Sequence, residues 1–110
     1  MRNKDYEVPY HVRIYVKREL EDYKGNKRLL KKLQDLNASD RELLIVTLRI
    51  AQIERVMENL SKEDREAAEI IFFLHYSQER AELEKGISKA AYYRTKKKII
   101  YITAREMELI

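Results

Sequence analysis

Apolar residues recur every three or four positions along most of this chain. Val12, Val16 and Leu20 begin the pattern, and a longer stretch continues it from Leu43 to Leu60. This spacing is typical of α-helices with one apolar face, whereas a half-buried strand would alternate at every second residue. No such alternation occurs, so the pattern predicts an all-α protein of about six helices with a long central helix.

Turn and capping residues predict where these helices begin and end. Pro9 suits the first turn of a helix, because its missing N–H would have no partner there in any case. Gly25 is expected to end this first helix, and Asn26 to cap a second one that continues to Asn37. Serines in N-cap positions then predict four further helices, at about residues 40–60, 62–76, 78–85 and 88–109.

The longest predicted helix, residues 40–60, has apolar residues at alternating steps of three and four, which is typical of a coiled-coil seam. The seam consists of Leu43, Val46, Ile50, Ile53, Met57 and Leu60. Leu44, Ile45 and Leu48 widen the apolar face, as packing inside a bundle requires. Two interpretations remain open: the seam forms the core of one chain, or it joins two chains in a homodimer.

The length of 110 residues suits one small domain, with residues 1–60 as its N-terminal helical part and 61–110 as its C-terminal part. The chain has no cysteine, which excludes disulfides and thiolate metal sites and fits a reducing compartment. His11 and His75 show no metal-ligand spacing, and His75 is expected to be partly buried. Without a signal-peptide pattern or an apolar run of ~18 residues, we expect a cytoplasmic protein with no membrane contact, metal or cofactor.

The net charge of +4 is unevenly distributed along the chain. Residues 37–85 hold seven cations and eleven acids, whereas residues 86–110 hold six cations and two acids. A basic segment attracts phosphate or acidic partners, although a run of lysines can also serve only to solvate a helix. The C-terminal segment is therefore the first candidate for binding nucleic acid.

This basic segment begins with GISKAAYYRTKKK, residues 86–98. Gly86 would turn the chain, and Ile87 would fill the space between two helices. Ser88 would cap the N–H groups of the next helix, and that helix end can also lie against a phosphate. A short helix, a glycine turn and a basic helix in this order are typical of a helix-turn-helix.

A helical wheel divides the last predicted helix, residues 88–109, into two sides. The polar side, with Lys89 and Lys98 flanking it, consists of Ala90, Tyr93, Arg94, Lys97 and Tyr101. Tyr92 falls on the opposite, mostly apolar side and is expected in the core. A recognition helix in the major groove needs small residues at its start and hydrogen-bond donors within reach of the bases. Double-stranded DNA is therefore the expected partner.

The donors of this helix would divide between base edges and phosphates. Lys89, Tyr93 and Arg94 are the candidates for base edges. Lys96, Lys97 and Lys98 are expected to contact phosphates, which gives affinity without reading the sequence.

GISKAAYYRTKKKII, residues 86–100, resembles the C-terminal helix-turn-helix of sigma factor region four. More closely, it resembles small phage transcriptional regulators of the ArpU and RinA type, and residues 15–33, 41–60 and 60–76 are also similar to parts of such regulators. The resemblance implies a phage or prophage protein that binds promoter DNA, activates late genes and can contact RNA polymerase. It rests on Gly86, Ile87, Ser88, Lys89, Tyr93 and Arg94.

The sequence departs from the family pattern at three positions. Glu82 stands where the family has a small residue that lets two helices approach each other. Lys85 replaces a leucine and Ala91 replaces a threonine.

A second function stays open beside the DNA-binding regulator. In this alternative, the protein is a helical interaction module, and its acidic middle and apolar seam bind another protein such as RNA polymerase. An enzyme is disfavoured, because the sequence contains no nucleophile and base at a spacing that is typical of a catalytic site.

Overall fold

The computed structural model describes residues 6–110, and within this range it contains six α-helices and no strand. The helices are α1 (Tyr10–Glu21), α2 (Tyr23–Asp35), α3 (Asp40–Glu58), α4 (Lys62–Ala68), α5 (Gln78–Lys85) and α6 (Lys89–Glu106). A π-helical turn, Glu69–Phe73, directly continues α4. The predicted all-α class with about six helices is confirmed.

Four serines cap the starts of α3, α4, α5 and α6. The side-chain oxygens of Ser39, Ser61, Ser77 and Ser88 each accept a hydrogen bond from a backbone N–H three residues further on, over 3.1–3.3 Å. Such a cap stabilises a helix by ~1 kcal/mol. These four helix starts are therefore determined locally by the sequence, as predicted.

The boundary between α1 and α2 lies at Asp22 and not at Gly25, so the prediction for this boundary is wrong. Gly25 lies inside α2, and the N–H of Asn26 donates to the carbonyl of Asp22 over 2.7 Å. The physical reason is a contact of Tyr23, whose ring packs against Phe73 with the ring centres 4.7 Å apart. The chain turns at Asp22, directly before Tyr23, and this places the ring of Tyr23 against the core.

The helix predicted over residues 62–76 ends earlier, in the π-helical turn. The N–H of Tyr76 donates to the carbonyl of Ile70 over 3.0 Å, which closes a wide final turn. His75 follows that turn with a φ of 57° and is exposed, so the expectation that it is partly buried is wrong. The wider turn also allows the consecutive Phe72 and Phe73 both to be buried.

The core lies around Phe72, which is fully buried. Side chains from α1, α3 and α6 surround it, among them Val16, Leu20, Ile53, Val56 and Ile99. The seam of α3 also packs within the chain, since Val46, Ile50, Ile53, Met57 and Leu60 are buried and Leu43 is half-buried. Of the two interpretations of the seam, the structure shows the intramolecular one.

The helical hairpin of α2 and α3 carries an exposed apolar surface. The two helices pack against each other, yet none of the residues in Tyr23–Asp35 is buried. We call the exposed apolar side chains of this hairpin the hairpin strip; they are Leu29, Leu36, Leu44, Ile45 and Leu48.

Candidate nucleic-acid interface

A three-residue turn, Gly86 to Ser88, joins α5 to α6. Gly86 has a φ of 68°, a conformation that glycine adopts without steric cost. Its N–H donates to the carbonyl of Glu82 over 3.1 Å, and the N–H of Ile87 donates to that of Ala81 over 3.2 Å. The side chain of Ile87 packs against the core. The turn therefore fixes how α6 leaves α5.

The small residue of α5 is Ala81, one position earlier than the family resemblance implies. Ala81 is fully buried, on a helix that packs against α6. Glu82 and Lys85 are both exposed. A glutamate at position 82 therefore does not stand between the two helices, and the expected packing conflict is absent.

One face of the first two turns of α6, which we call the front of α6, is open to solvent. Lys89, Ala90, Tyr93 and Arg94 are exposed there, and Ser88 caps the helix end behind them. Within residues 6–110, no acidic side chain forms an ion pair with Lys89 or Arg94. The three residues selected for base edges, Lys89, Tyr93 and Arg94, thus lie together on one accessible surface.

The adjacent tyrosines at the start of α6 lie in opposite environments. Tyr92 is 5% exposed, and its hydroxyl donates to the carbonyl of Tyr76 over 2.7 Å. Burial raises the pKa of the Tyr92 hydroxyl. Tyr93 is 51% exposed. Tyr92 therefore holds α6 onto the core, as expected, and Tyr93 is available to a ligand.

The next turns of α6, residues 96–101, which we call the back of α6, contact other parts of the chain. Lys97 Nζ lies 2.8 Å from Glu7 Oε1, and the ring of Tyr101 meets that of Tyr6 edge-on at 5.4 Å. The hydrogen bond from Lys97 holds the pKa of Glu7 below its usual range. Two of the residues predicted to face DNA, Lys97 and Tyr101, are thus in contact with residues 6–9, which we call the segment before α1.

Lys98 and Lys96 also have neighbours within the chain. Lys98 Nζ lies 2.8 Å from Asp64 Oδ2, and this hydrogen bond raises the pKa of Lys98. Lys96 is half-buried, and its ammonium lies 5.9 Å from the centre of the Tyr92 ring. Burial, together with the positive charge of Lys17, lowers the pKa of Lys96.

Arg13 and Lys17 of α1 are cations that were not among the predicted DNA-binding residues. They line one cleft together with Lys96 and Lys97 of α6. Their spacing of four residues places them on one face of α1, and that spacing is the signal that could have identified them.

Comparison of the chain with protein-family models, with curated proteins and with solved structures finds no match. The function is therefore inferred from the arrangement of residues around α6. Within residues 6–110, no three histidine or acidic side chains are grouped so that they could hold a metal ion. In the same range, no helix is long and apolar enough to cross a membrane.

Proposed function

We propose that this protein is a DNA-binding transcriptional regulator, in which α5 and α6 act as a helix-turn-helix and the front of α6 enters the major groove. One observation carries this proposal: an exposed, serine-capped helix start presents Tyr93 together with Lys89 and Arg94, and neither of these two cations forms an ion pair in residues 6–110. Ala90, between them, is small enough to let the backbone approach the bases.

The front of α6 supplies the contacts that read the sequence. A guanidinium such as that of Arg94 can donate two hydrogen bonds to a guanine, and Lys89 and Tyr93 donate to base edges beside it. Such contacts give specificity, because each base pair presents a distinct pattern of donors and acceptors in the major groove.

The lysines of the back of α6 supply phosphate contacts. Lys97 and Lys98 must exchange Glu7 and Asp64 for phosphate, and both ion pairs are partly exposed. Exposed ion pairs contribute only ~0.2–1 kcal/mol, so a DNA phosphate can replace the carboxylate. The same exchange would loosen the segment before α1 when DNA binds.

The regulator we propose is of the cytoplasmic phage or prophage type that the sequence resemblance implies, and it activates late genes. Contact with RNA polymerase is part of that proposal. We propose that α5, which packs against α6 and carries an exposed Leu83, supplies this contact.

A homodimer suits this function, because one copy of a helix-turn-helix reads only a few base pairs. The seam of α3 is buried inside the chain, so dimerisation through α3 would use Leu44, Ile45 and Leu48 of the hairpin strip. Exposed apolar patches on small proteins mark interaction surfaces. The hairpin strip also favours the second candidate function, a module that binds another protein without reading DNA.

Fluorescence anisotropy with two duplexes tests the proposed function. One duplex comes from the DNA upstream of the gene for this protein, and the other has the same bases in shuffled order. We expect a preference of ~10³-fold or more for the upstream duplex. Affinity should also fall steeply with salt, because phosphate contacts release counterions. Absence of binding even at low salt would contradict the proposal. The second candidate function, a module that binds another protein, would then remain.

Light scattering tests the homodimer. The variant Leu44→Gln with Leu48→Gln should have the mass of one chain, whereas the unchanged protein should have the mass of two. Leu83→Gln is the matched control, because Leu83 is 87% exposed on α5, outside the hairpin strip. If the unchanged protein has the mass of one chain, it is not a homodimer, and the hairpin strip would bind a different protein.

A further inference from the structure

A cleft of about 340 Å³ lies between the segment before α1, α1 itself and α6. Its volume is within the range of ~300–1,000 Å³ that is typical of small-molecule sites. Arg13, Lys17, Lys96 and Lys97 line it, and Glu7 is the one acidic residue among the lining residues that lie within residues 6–110. The cleft thus gathers four cations from two helices that are remote in sequence.

Three of these four cations form no ion pair within residues 6–110. Glu7 is paired with Lys97, whereas Arg13, Lys17 and Lys96 form no ion pair with an acid in residues 6–110. Lys96 is half-buried, and burial and then the charge of Lys17 lower its pKa, whereas the carboxylate of Glu21 acts in the opposite direction. Like charges held close together repel each other, and a bound anion would relieve the repulsion that Glu21 does not offset.

The other described side chains that line the cleft are mainly aromatic or aliphatic. The rings of Tyr6 and Tyr93 line it, together with the aliphatic side chains of Ile14 and Ile100. Aromatic rings stack on planar groups such as nucleobases, and cations beside them bind the attached phosphate. The combined lining suits a phosphate that is linked to a planar or sugar-like group, and its charge disfavours a metal cation.

We infer that this cleft is a phosphate-binding site, in which Lys17 and Lys96 hold one phosphate group and Arg13 adds a guanidinium at its edge. The group attached to the phosphate lies against Tyr93. The phosphate belongs either to a free nucleotide or to the backbone of DNA. In the second case the inference rests on the proposed function, since Tyr93 would then link the cleft to the front of α6.

Binding measurements on Lys17→Gln and Lys96→Gln test this inference. Glutamine retains most of the aliphatic stem and removes the charge. Lys31→Gln is the matched control, because Lys31 is an exposed lysine of α2 and does not line the cleft. The probes are ATP with a fluorescent label on its ribose and, separately, a labelled duplex, each followed by anisotropy across a salt series.

For a free nucleotide, each cleft variant should weaken ATP binding by about tenfold or more, because a hydrogen bond to a charged group is lost. For DNA, ATP should bind weakly to all variants, and the cleft variants should weaken duplex binding and lower the salt slope by about one. Thermal unfolding separates binding from a structural role: removing one of two repelling charges should leave the melting temperature unchanged or raise it.

The inference is overturned if neither probe distinguishes Lys17→Gln and Lys96→Gln from Lys31→Gln. It is also overturned if the cleft variants lose binding only in proportion to a lower melting temperature. Failure of the proposed function gives a different result, in which no duplex binds while ATP binding still depends on Lys17 and Lys96.

Discussion

The front and the back of α6 carry the same kinds of side chain and use them differently. At the front, Lys89, Tyr93 and Arg94 are exposed, and the two cations among them form no ion pair in residues 6–110. At the back, Lys97 and Lys98 are paired with carboxylates, and Tyr101 meets the ring of Tyr6. Lysines and tyrosines on a helix therefore do not by themselves define a binding surface; the elements packed around them decide which are available.

The contrast is sharpest between the adjacent Tyr92 and Tyr93. Tyr92→Ala should lower the free energy of unfolding by ~3–5 kcal/mol, since it empties a core position. It also removes the hydrogen bond to the carbonyl of Tyr76. Tyr93→Ala should cost below ~1 kcal/mol, as is usual for exposed side chains. Urea unfolding measures both, and equal losses would show that the two rings share one environment.

Arg94→Ala should affect binding and not folding. We expect the free energy of specific DNA binding to weaken by ~1–3 kcal/mol, if Arg94 reads a guanine. The melting temperature should not change. Arg105→Ala is the matched control, because Arg105 is an exposed arginine in the last turn of the same helix. Anisotropy titrations compare the DNA affinities of the two variants. If both lose the same affinity, Arg94 does not contact the bases.

Ser88→Ala should destabilise the front of α6. Its hydroxyl accepts from the N–H of Ala91 over 3.2 Å, and loss of such a cap costs ~1 kcal/mol. Ser88→Gly should lower the free energy of unfolding by only a few tenths of a kcal/mol, because water can reach the uncapped N–H groups beside a glycine. Thermal unfolding compares the two, and a larger loss for glycine would indicate that backbone rigidity, and not the cap, holds the turn.

Lys98→Gln should destabilise the protein by about 0.5 kcal/mol at low salt, as expected for a partly exposed ion pair. The pKa of Lys98 is raised by Asp64, so the pair contributes below its usual pKa of 10.5 and is lost as the pH rises through the raised value. Lys89→Gln should cost nothing at any pH. A stability difference that survives high salt would show a contribution other than the ion pair.

The smallest effect is expected for the contact between Glu7 and Lys97. The pKa of Glu7 is lowered from its ordinary value of 4.5, so this contact stabilises the fold above that pH and is lost as the pH falls through the lowered pKa. The stability of the unchanged protein relative to Glu7→Gln should therefore decline on acidification. Denaturant unfolding at several pH values measures it, and a difference that is constant with pH would contradict the assignment.

The parts of this fold that could be predicted depend on neighbours in sequence. Ser39, Ser61, Ser77 and Ser88 begin helices because each caps N–H groups only three residues away. The separation of a buried Tyr92 from an exposed Tyr93 and Arg94 could also be predicted, because it follows from the helical period.

The parts that could not be predicted depend on contacts between remote residues. Tyr23 packs on Phe73 and its hydroxyl donates to Glu54, contacts that move the end of α1 away from Gly25. The hydroxyl lies 2.8 Å from Glu54 Oε2, and burial together with this hydrogen bond raises the pKa of Tyr23 to about 12. Similarly, Glu7 and Lys97 are separated by 90 positions, so no helical wheel could place them together.

The π-helical turn at Glu69–Phe73 makes the spacing between α4 and α5 sensitive to insertion and deletion. A π turn is an α-helical turn that has accepted one additional residue. Deleting one residue there would restore regular helix but rotate everything downstream by ~100°. Phe72 and Phe73 could then no longer both reach the core, and α6 would point in another direction. The number of residues between Ala68 and Ser77 therefore determines the orientation of α5 and α6 relative to the core.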